Sequence, residues 1–185
     1  MLPTGATVFV TFRLADSLPA ATLAAYQTER AVRIAELAQL PLAEEERSAA
    51  SYDLHKRLFA YFDNLLDHAT EVRWLAEAAV ARSVCAELHR VGELKAVSQC
   101  FCIMPNHVHL LVQLPDEEGF SFVRMMQLLK GRSAYVANRI LGRRGGFWQQ
   151  ESYDHLVRAG QEWTRIKDYI LNKPVKAGLV ASWEK

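Results

Sequence analysis

Two β-type runs joined by one tight turn constrain this chain more than any other feature. Glu93–Met104 (ELKAVSQCFCIM) and Asn106–Leu114 (NHVHLLVQL) are rich in Val, Ile, Phe and Leu, and Met104-Pro105-Asn106 supplies the turn between them. In the second run Val108, Leu110 and Val112 fall on one face, which suits a core. His107, His109 and Gln113 fall on the other. A third run, Ala6–Leu14 (ATVFVTFRL), alternates in the same way, with Val8, Val10, Phe12 and Leu14 on one face and Phe9, Thr11 and Arg13 on the other. Tyr153–Val157 is a short fourth strand.

Helical stretches separate these runs. Ala76–His89 places Ala81, Val84 and Leu88 at helical spacing, and Phe120–Leu141 is a long amphipathic helix. Gly160–Asn172 forms the last helix, which Pro174 is expected to end, because a residue before proline is pushed out of the α region. The segment from Ala20 to about His68 is helical in composition and is broken in two by Pro41 and Glu44-Glu45-Glu46, which describes an inserted helical hairpin. Without that insertion at about 20–68 the order is β–α–β–β–α–β plus a terminal helix. This predicts an α+β, ferredoxin-like antiparallel sheet with helices on one face, in one domain over 1–185.

The composition agrees with a packed domain. Of 185 residues half are apolar and 23% are charged, enough for a sizeable core and too apolar for a disordered chain. No apolar run approaches the roughly 18–20 residues of a membrane span, and the first residues lack the pattern of a secretion signal, so no membrane partner is expected. Cys85, Cys100 and Cys102 are odd in number and lack metal-knuckle spacing, which fits free thiols in a reducing cytoplasm. The net charge of +1 is unevenly spread, since residues 124–185 carry twelve Lys/Arg against five Asp/Glu. A basic C-terminal third could hold a polyanion, and it also describes an ordinary solvated helix surface.

Three groups of residues could carry chemistry. His107 and His109 leave the same strand face about 7 Å apart at Cα, so both rings can reach one divalent ion. The same pair also describes two partly exposed histidines on a wet strand. Two histidines are too few for a closed zinc site and suit an open one completed by water and phosphate oxygens. On the long helix Phe122, Met126, Leu129, Val136 and Ile140 form an apolar arc, and Arg124, Arg132, Arg139 and Arg143 a neighbouring basic one that could follow a nucleic-acid backbone. Gly142–Gly146, with Arg143 and Arg144, reads as a mobile basic loop. On the last helix Tyr169 sits at the edge of the stripe formed by Trp163, Ile166 and Ile170, with Arg165 one turn before it and Asn172 and Lys173 one turn after. It is either a tyrosine that buries its ring and keeps its hydroxyl wet, or a phenol flanked by cations and available for attack on phosphorus.

MPNHVHLLV (Met104–Val112) and YILNKPVKAGLV (Tyr169–Val180) resemble the two signature blocks of the single-tyrosine HUH transposases. TFRLADSLP (Thr11–Pro19) and FWQQESYDHLVR (Phe147–Arg158) are similar in kind and in order, and the branch resembled is that of the bacterial REP-associated tyrosine transposases. The resemblance covers nearly the whole chain, and the helical insertion least. It implies a ferredoxin-like HUH endonuclease domain that cuts single-stranded DNA beside a folded hairpin. His107 and His109 are then expected to hold Mg²⁺ or Mn²⁺. Tyr169 is expected to attack the scissile phosphate, form a 5′-phosphotyrosine and release a 3′-hydroxyl that can later rejoin strands. The resemblance leaves Arg124, Arg132, Arg139, Arg143, Arg144, Arg165 and Lys173 as DNA-binding candidates, and Arg165 or Lys173 to favour the ionised phenol. It implies a bacterial cytoplasmic protein, associated with the nucleoid when bound to DNA.

The chain departs from the family at one position. The family places an amide or carboxylate ligand one turn after the tyrosine, where this chain has Lys173, whose ammonium cannot ligate a metal. Asn172, its neighbour, or water is left for that role. Three readings follow: an active single-strand endonuclease and strand transferase, a host-adopted hairpin-binding protein with weak or lost catalysis, and a small metal hydrolase built on the histidines. Tyr153 is the other candidate nucleophile, and His155, on its strand face, either touches DNA or packs. The tyrosine helix serves its own site or a partner's, so monomer and homodimer both stand.

Overall fold

A computed structural model describes residues 2–158 and 160–183. It divides the chain into two compact units, residues 16–71 and the remainder, 1–15 with 72–185.

The larger unit is built on a four-stranded antiparallel sheet of β1 (Thr7–Arg13), β2 (Val97–Ile103), β3 (His107–Gln113) and β4 (Tyr153–Leu156), in the order β2-β3-β1-β4. This is the ferredoxin-like order that the sequence pattern predicts. β1 and β3 lie side by side at the centre, with Thr11 opposite His109 and Arg13 opposite His107. The period of two then sorts each strand's residues. Val8, Val10, Phe12 and Leu14 join Val108, Leu110 and Val112 in one core, every one of them at most 1% exposed. That core is closed by α3 (Ala78–His89), through Val80, Val84 and Leu88, and by α4 (Phe122–Ile140), through Met125, Met126 and Leu129. The opposite sheet face carries Phe9, Thr11, Arg13, His107 and His109. α5 (Gly160–Lys176) packs on β2 and β3 there.

Two helices differ from their sequence reading. The buried stripe of α4 is Met125, Met126, Leu129, Ser133 and Ala137, while Val136 and Ile140 of the expected arc are exposed. Ser133 and Ala137 are fully buried, and Trp148 Nε1 donates to the Ser133 hydroxyl at 2.9 Å. α5 runs through Pro174 to Lys176. Its end is set further on by Gly178, whose φ of 68° is open to glycine, with Gly178 N donating to Val175 O and Leu179 N to Pro174 O.

The loop after α4 is pinned. Arg143 donates to Asn138 Oδ1 at 2.9 Å and to Gly146 O at 3.1 Å, and its guanidinium stacks 3.7 Å over the Trp74 ring. Cys85, Cys100 and Cys102 are free thiols, as expected, and burial pushes Cys100 up to about 11 against the opposing charge of Lys167.

The smaller unit is a hairpin of α1 (Ala20–Gln39) and α2 (Glu44–His68). Pro41 lies in the break, whereas Glu44, Glu45 and Glu46 form the first turn of α2, where carboxylates suit the helix dipole. Arg47 closes the join by donating to the carbonyls of Leu37, Ala38, Leu40 and Leu42. Tyr26 packs on Phe62, with ring centroids 4.9 Å apart. Among the described residues, no helix is long and apolar enough to cross a membrane.

Candidate active site

His107 and His109 sit on the central strand β3, held by hydrogen-bonded neighbours on both sides, so their backbone positions are among the stiffest in the unit. Their side chains leave the same face and lean together, and the two Nε2 atoms stand 3.1 Å apart. Both Nδ1 atoms point away from this meeting point and are engaged. Asn106 Oδ1 lies 2.6 Å from His107 Nδ1, and Thr11 Oγ1 lies 2.7 Å from His109 Nδ1.

This arrangement settles much of the proton inventory. An amide oxygen only accepts, so His107 carries its proton on Nδ1 and presents the Nε2 lone pair. A hydroxyl can donate or accept, so Thr11 tolerates either tautomer of His109. When both Nε2 atoms serve as ligands, Thr11 accepts from Nδ1–H. When they do not, Nε2–H of His109 can donate to His107. The donor set fits a divalent cation: two neighbouring ligands of an ion with bonds of roughly 2.1 Å lie about 3 Å apart. Both rings are fully buried, which differs from the wet strand face that the sequence also allowed.

The third group comes from α5. Tyr169 Oη lies 3.4 Å from His109 Nε2 within the same chain, and the phenol ring stands edge-on to His109 and to Phe9 at 5.3 and 6.2 Å between centroids. A phenol oxygen at the point where two imidazole lone pairs converge can reach any phosphorus that these groups hold. Residues 60 apart in sequence meet here because α5 crosses the sheet face that carries the histidines.

The other candidates are distributed around this centre. Lys173 is buried on α5, its Nζ 5.6 Å from the centre of the Tyr169 ring. Asn172 is exposed and its amide donates to Asp168 O at 2.8 Å, so it is turned along its own helix and away from the histidines. Arg165 is exposed. Tyr153 shares the sheet face and packs edge-on to Phe9. His155 meets the buried Glu162 carboxylate at 2.8 Å. Arg124, Arg132 and Arg139 lie on the outer side of α4, beyond the opposite face of the sheet. Arg132 reaches Glu93 at 3.3 Å and Arg139 lies over the exposed ring of Tyr135. Arg144 is exposed, and Arg143 is held by Asn138 and Trp74.

Thr11 and Asn106 are partners of the histidines that sequence reading passed over. Asn106 was legible as the residue before the histidine strand. Thr11 was not, because it meets His109 only through the register of β1 on β3.

Comparison with known proteins adds the family. The family described as "Transposase IS200 like" matches residues 74–173, from the turn before α3 to Lys173, and so includes both histidines and Tyr169. The chain belongs to the IS200-like transposase family. A Haemophilus influenzae protein named "Putative REP-associated tyrosine transposase" is 36% identical over 87 residues, covering 43% of this chain and 49% of that protein. The chain thus spans about half the length of the curated relative it matches. A solved structure titled "Structure of the REP associates tyrosine transposase bound to a REP hairpin" aligns over 99% of this chain and 74% of that one. Its TM-score is 0.56 at 15% identity, a likeness of fold. The matched segment leaves β1 outside, so this IS200-like chain takes Thr11 from beyond the part on which its family was matched.

Proposed function

We propose that the chain is a metal-dependent single-stranded DNA endonuclease and strand transferase that acts beside hairpin DNA through a 5′-phosphotyrosine. The observation that carries this reading is the meeting of Tyr169 Oη with the paired Nε2 atoms of His107 and His109, at 3.4 and 3.1 Å, within one chain.

Tyr169 Oη attacks the scissile phosphorus, the Oη–P bond forms and the P–O3′ bond breaks. The proton lost by the phenol is matched by the one taken up by the departing 3′ oxygen. Mg²⁺ or Mn²⁺ held by His107 and His109 would polarise the phosphate oxygens and offset the charge that builds on them. Asn106 and Thr11 keep both imidazoles aimed at that point. Attack by a 3′-hydroxyl on the phosphotyrosine reverses the exchange and rejoins strands, with one ester traded for another and no outside energy source.

The remaining candidates form a backbone-binding surface. α4 carries Arg124, Lys130, Arg132 and Arg139 and no acidic residue. It lies on the far side of the sheet from Tyr169, so a DNA that touches both passes around an edge of the sheet; ahead of β4 Lys130 donates to Gln150 O at 2.8 Å, and ahead of β2 Arg132 reaches Glu93. Folded DNA on α4 and a single-stranded flank at the histidines fit this division.

One observation favours the second reading, a host-adopted hairpin binder with weak or lost catalysis. The helical turn after the tyrosine offers a buried ammonium, Lys173, and an amide turned to Asp168. A hairpin oligonucleotide with a single-stranded flank, labelled at its 3′ end and incubated with Mn²⁺, separates the readings. A covalent adduct that disappears in Tyr169→Phe is expected. Tight binding with no adduct would establish the binder, and cleavage that survives Tyr169→Phe would establish a metal hydrolase.

A further inference from the structure

Two neighbouring residues near the start of α5 grip opposite edges of the sheet. Glu162 is buried, and its carboxylate meets His155 Nε2 at 2.8 Å on edge strand β4 and accepts from Arg158 N at 2.7 Å. Trp163 Nε1 donates to Gln99 Oε1 at 2.6 Å on the other edge strand, β2. Gln99 is available because of a bulge. Ser98 pairs with Val112 and Cys100 with Leu111, so Gln99 is the extra residue between them. Bulges re-aim side chains. Gln99 uses its amide to donate to Gln113 Oε1 at 3.2 Å while its oxygen takes the indole proton. Glu162 and Tyr169 are seven residues apart, two helical turns, and so lie on the same side of α5.

We propose that Glu162 and the Trp163–Gln99–Gln113 relay are positioning residues that set the rotation and depth of α5, and thereby hold the Tyr169 hydroxyl at the histidines of its own chain. A rigid helix gripped at adjacent residues by bonds that pull towards opposite edges can neither roll nor slide without breaking one of them. The ring of Tyr169 is held by edge contacts with Phe9 and His109, which a small roll would preserve while moving Oη off the line of attack. A misplacement of about 1 Å costs roughly a hundredfold in rate. The inference rests on the catalytic reading for its effect on rate, but its effect on the helix stands apart from that reading.

The test uses the full chain with Mn²⁺ and the flanked hairpin. In Glu162→Ala the single-turnover rate of adduct formation should fall roughly 10- to 100-fold, with hairpin affinity within about twofold. Glu162→Gln, which keeps an acceptor for Arg158 N, should recover most of the loss. Gln99→Ala and Trp163→Phe should each slow the step, and the double variant should be no slower than either, since both break one bond. Amide hydrogen exchange along 166–173 should rise in Glu162→Ala while β3 keeps its protection. Unchanged exchange in α5 would overturn the proposal whether or not the wild type is active. So would an unchanged rate, or a fall in rate matched by an equal loss of affinity. A wild type that forms no adduct, with α5 loosened in the variant, would instead sink the catalytic reading and leave the clamp standing.

Discussion

The two faces of the sheet are built from the same strands and do opposite work. On β3, Val108, Leu110 and Val112 vanish into a core with α3 and α4, while His107 and His109, one residue out of phase, gather polar partners under α5. The apolar face tolerates exchange among residues of similar volume, because burial is non-directional. The polar face does not, because each hydrogen bond fixes a tautomer or an angle. A strand's period of two thus lets seven residues serve stability and chemistry at once.

That contrast can be broken residue by residue. The largest effect belongs to the histidine face. His107→Ala should lower adduct formation roughly a hundredfold to a thousandfold, measured in single turnover, with the chain still folded by circular dichroism. Leu110→Ala, one strand position beyond His109, should do the reverse. It should cost about 2–5 kcal/mol in urea unfolding and leave the rate per folded molecule near wild type. If Leu110→Ala lost activity while keeping its stability, the separation of the faces would be wrong.

A smaller effect sharpens the assignment of partners. Thr11→Val keeps the side chain's volume and removes the bond to His109 Nδ1. The Mn²⁺ concentration for half-maximal activity should rise roughly 10- to 100-fold, with little change in melting temperature. Smaller again is the contribution of α4. Arg139→Ala should weaken hairpin binding evenly across sequences and reduce the salt slope by about one charge. An unchanged slope would remove the outer side of α4 from the interface.

The smallest is a dependence on pH. Burial pushes Lys130 down to about 8, with Glu151 opposing the shift and Arg13 adding to it. Above that value the folded state gives up this proton while the unfolded chain keeps it to about 10.4. Stability should therefore rise with pH through that window, and the rise should flatten in Lys130→Met, as read from urea midpoints at several pH values.

The alternation in Ala6–Leu14 and Asn106–Leu114 was enough to place seven core residues and both histidines on their correct faces. The contacts of the site depend on which strands become neighbours. Thr11 and His109 are 98 residues apart, and no local pattern announces that they face each other. The stripe on α4 was misjudged because apolarity was read in place of size. Ser133 and Ala137 are buried, the Ser133 hydroxyl taking the Trp148 indole proton, and Val136 and Ile140 are left outside. Pro174 was read as a stop because the residue before a proline tends to leave the α region, yet α5 runs on to Lys176. The helix ends instead where Gly178 can take the left-handed turn. Arg143 looked like a mobile cation because nothing near it in sequence reveals the Trp74 ring beneath it.

The ladder holds β3 from both sides, whereas α5 forms no part of it. The imidazoles are therefore fixed by the sheet, whereas the Tyr169 ring is mounted on a piece that can be lifted without tearing it. Both rings are sealed from solvent in this arrangement, so on the proposed reading a strand of DNA would gain entry by displacing what covers them, and the energy holding that cover down would become part of the threshold a substrate must overcome.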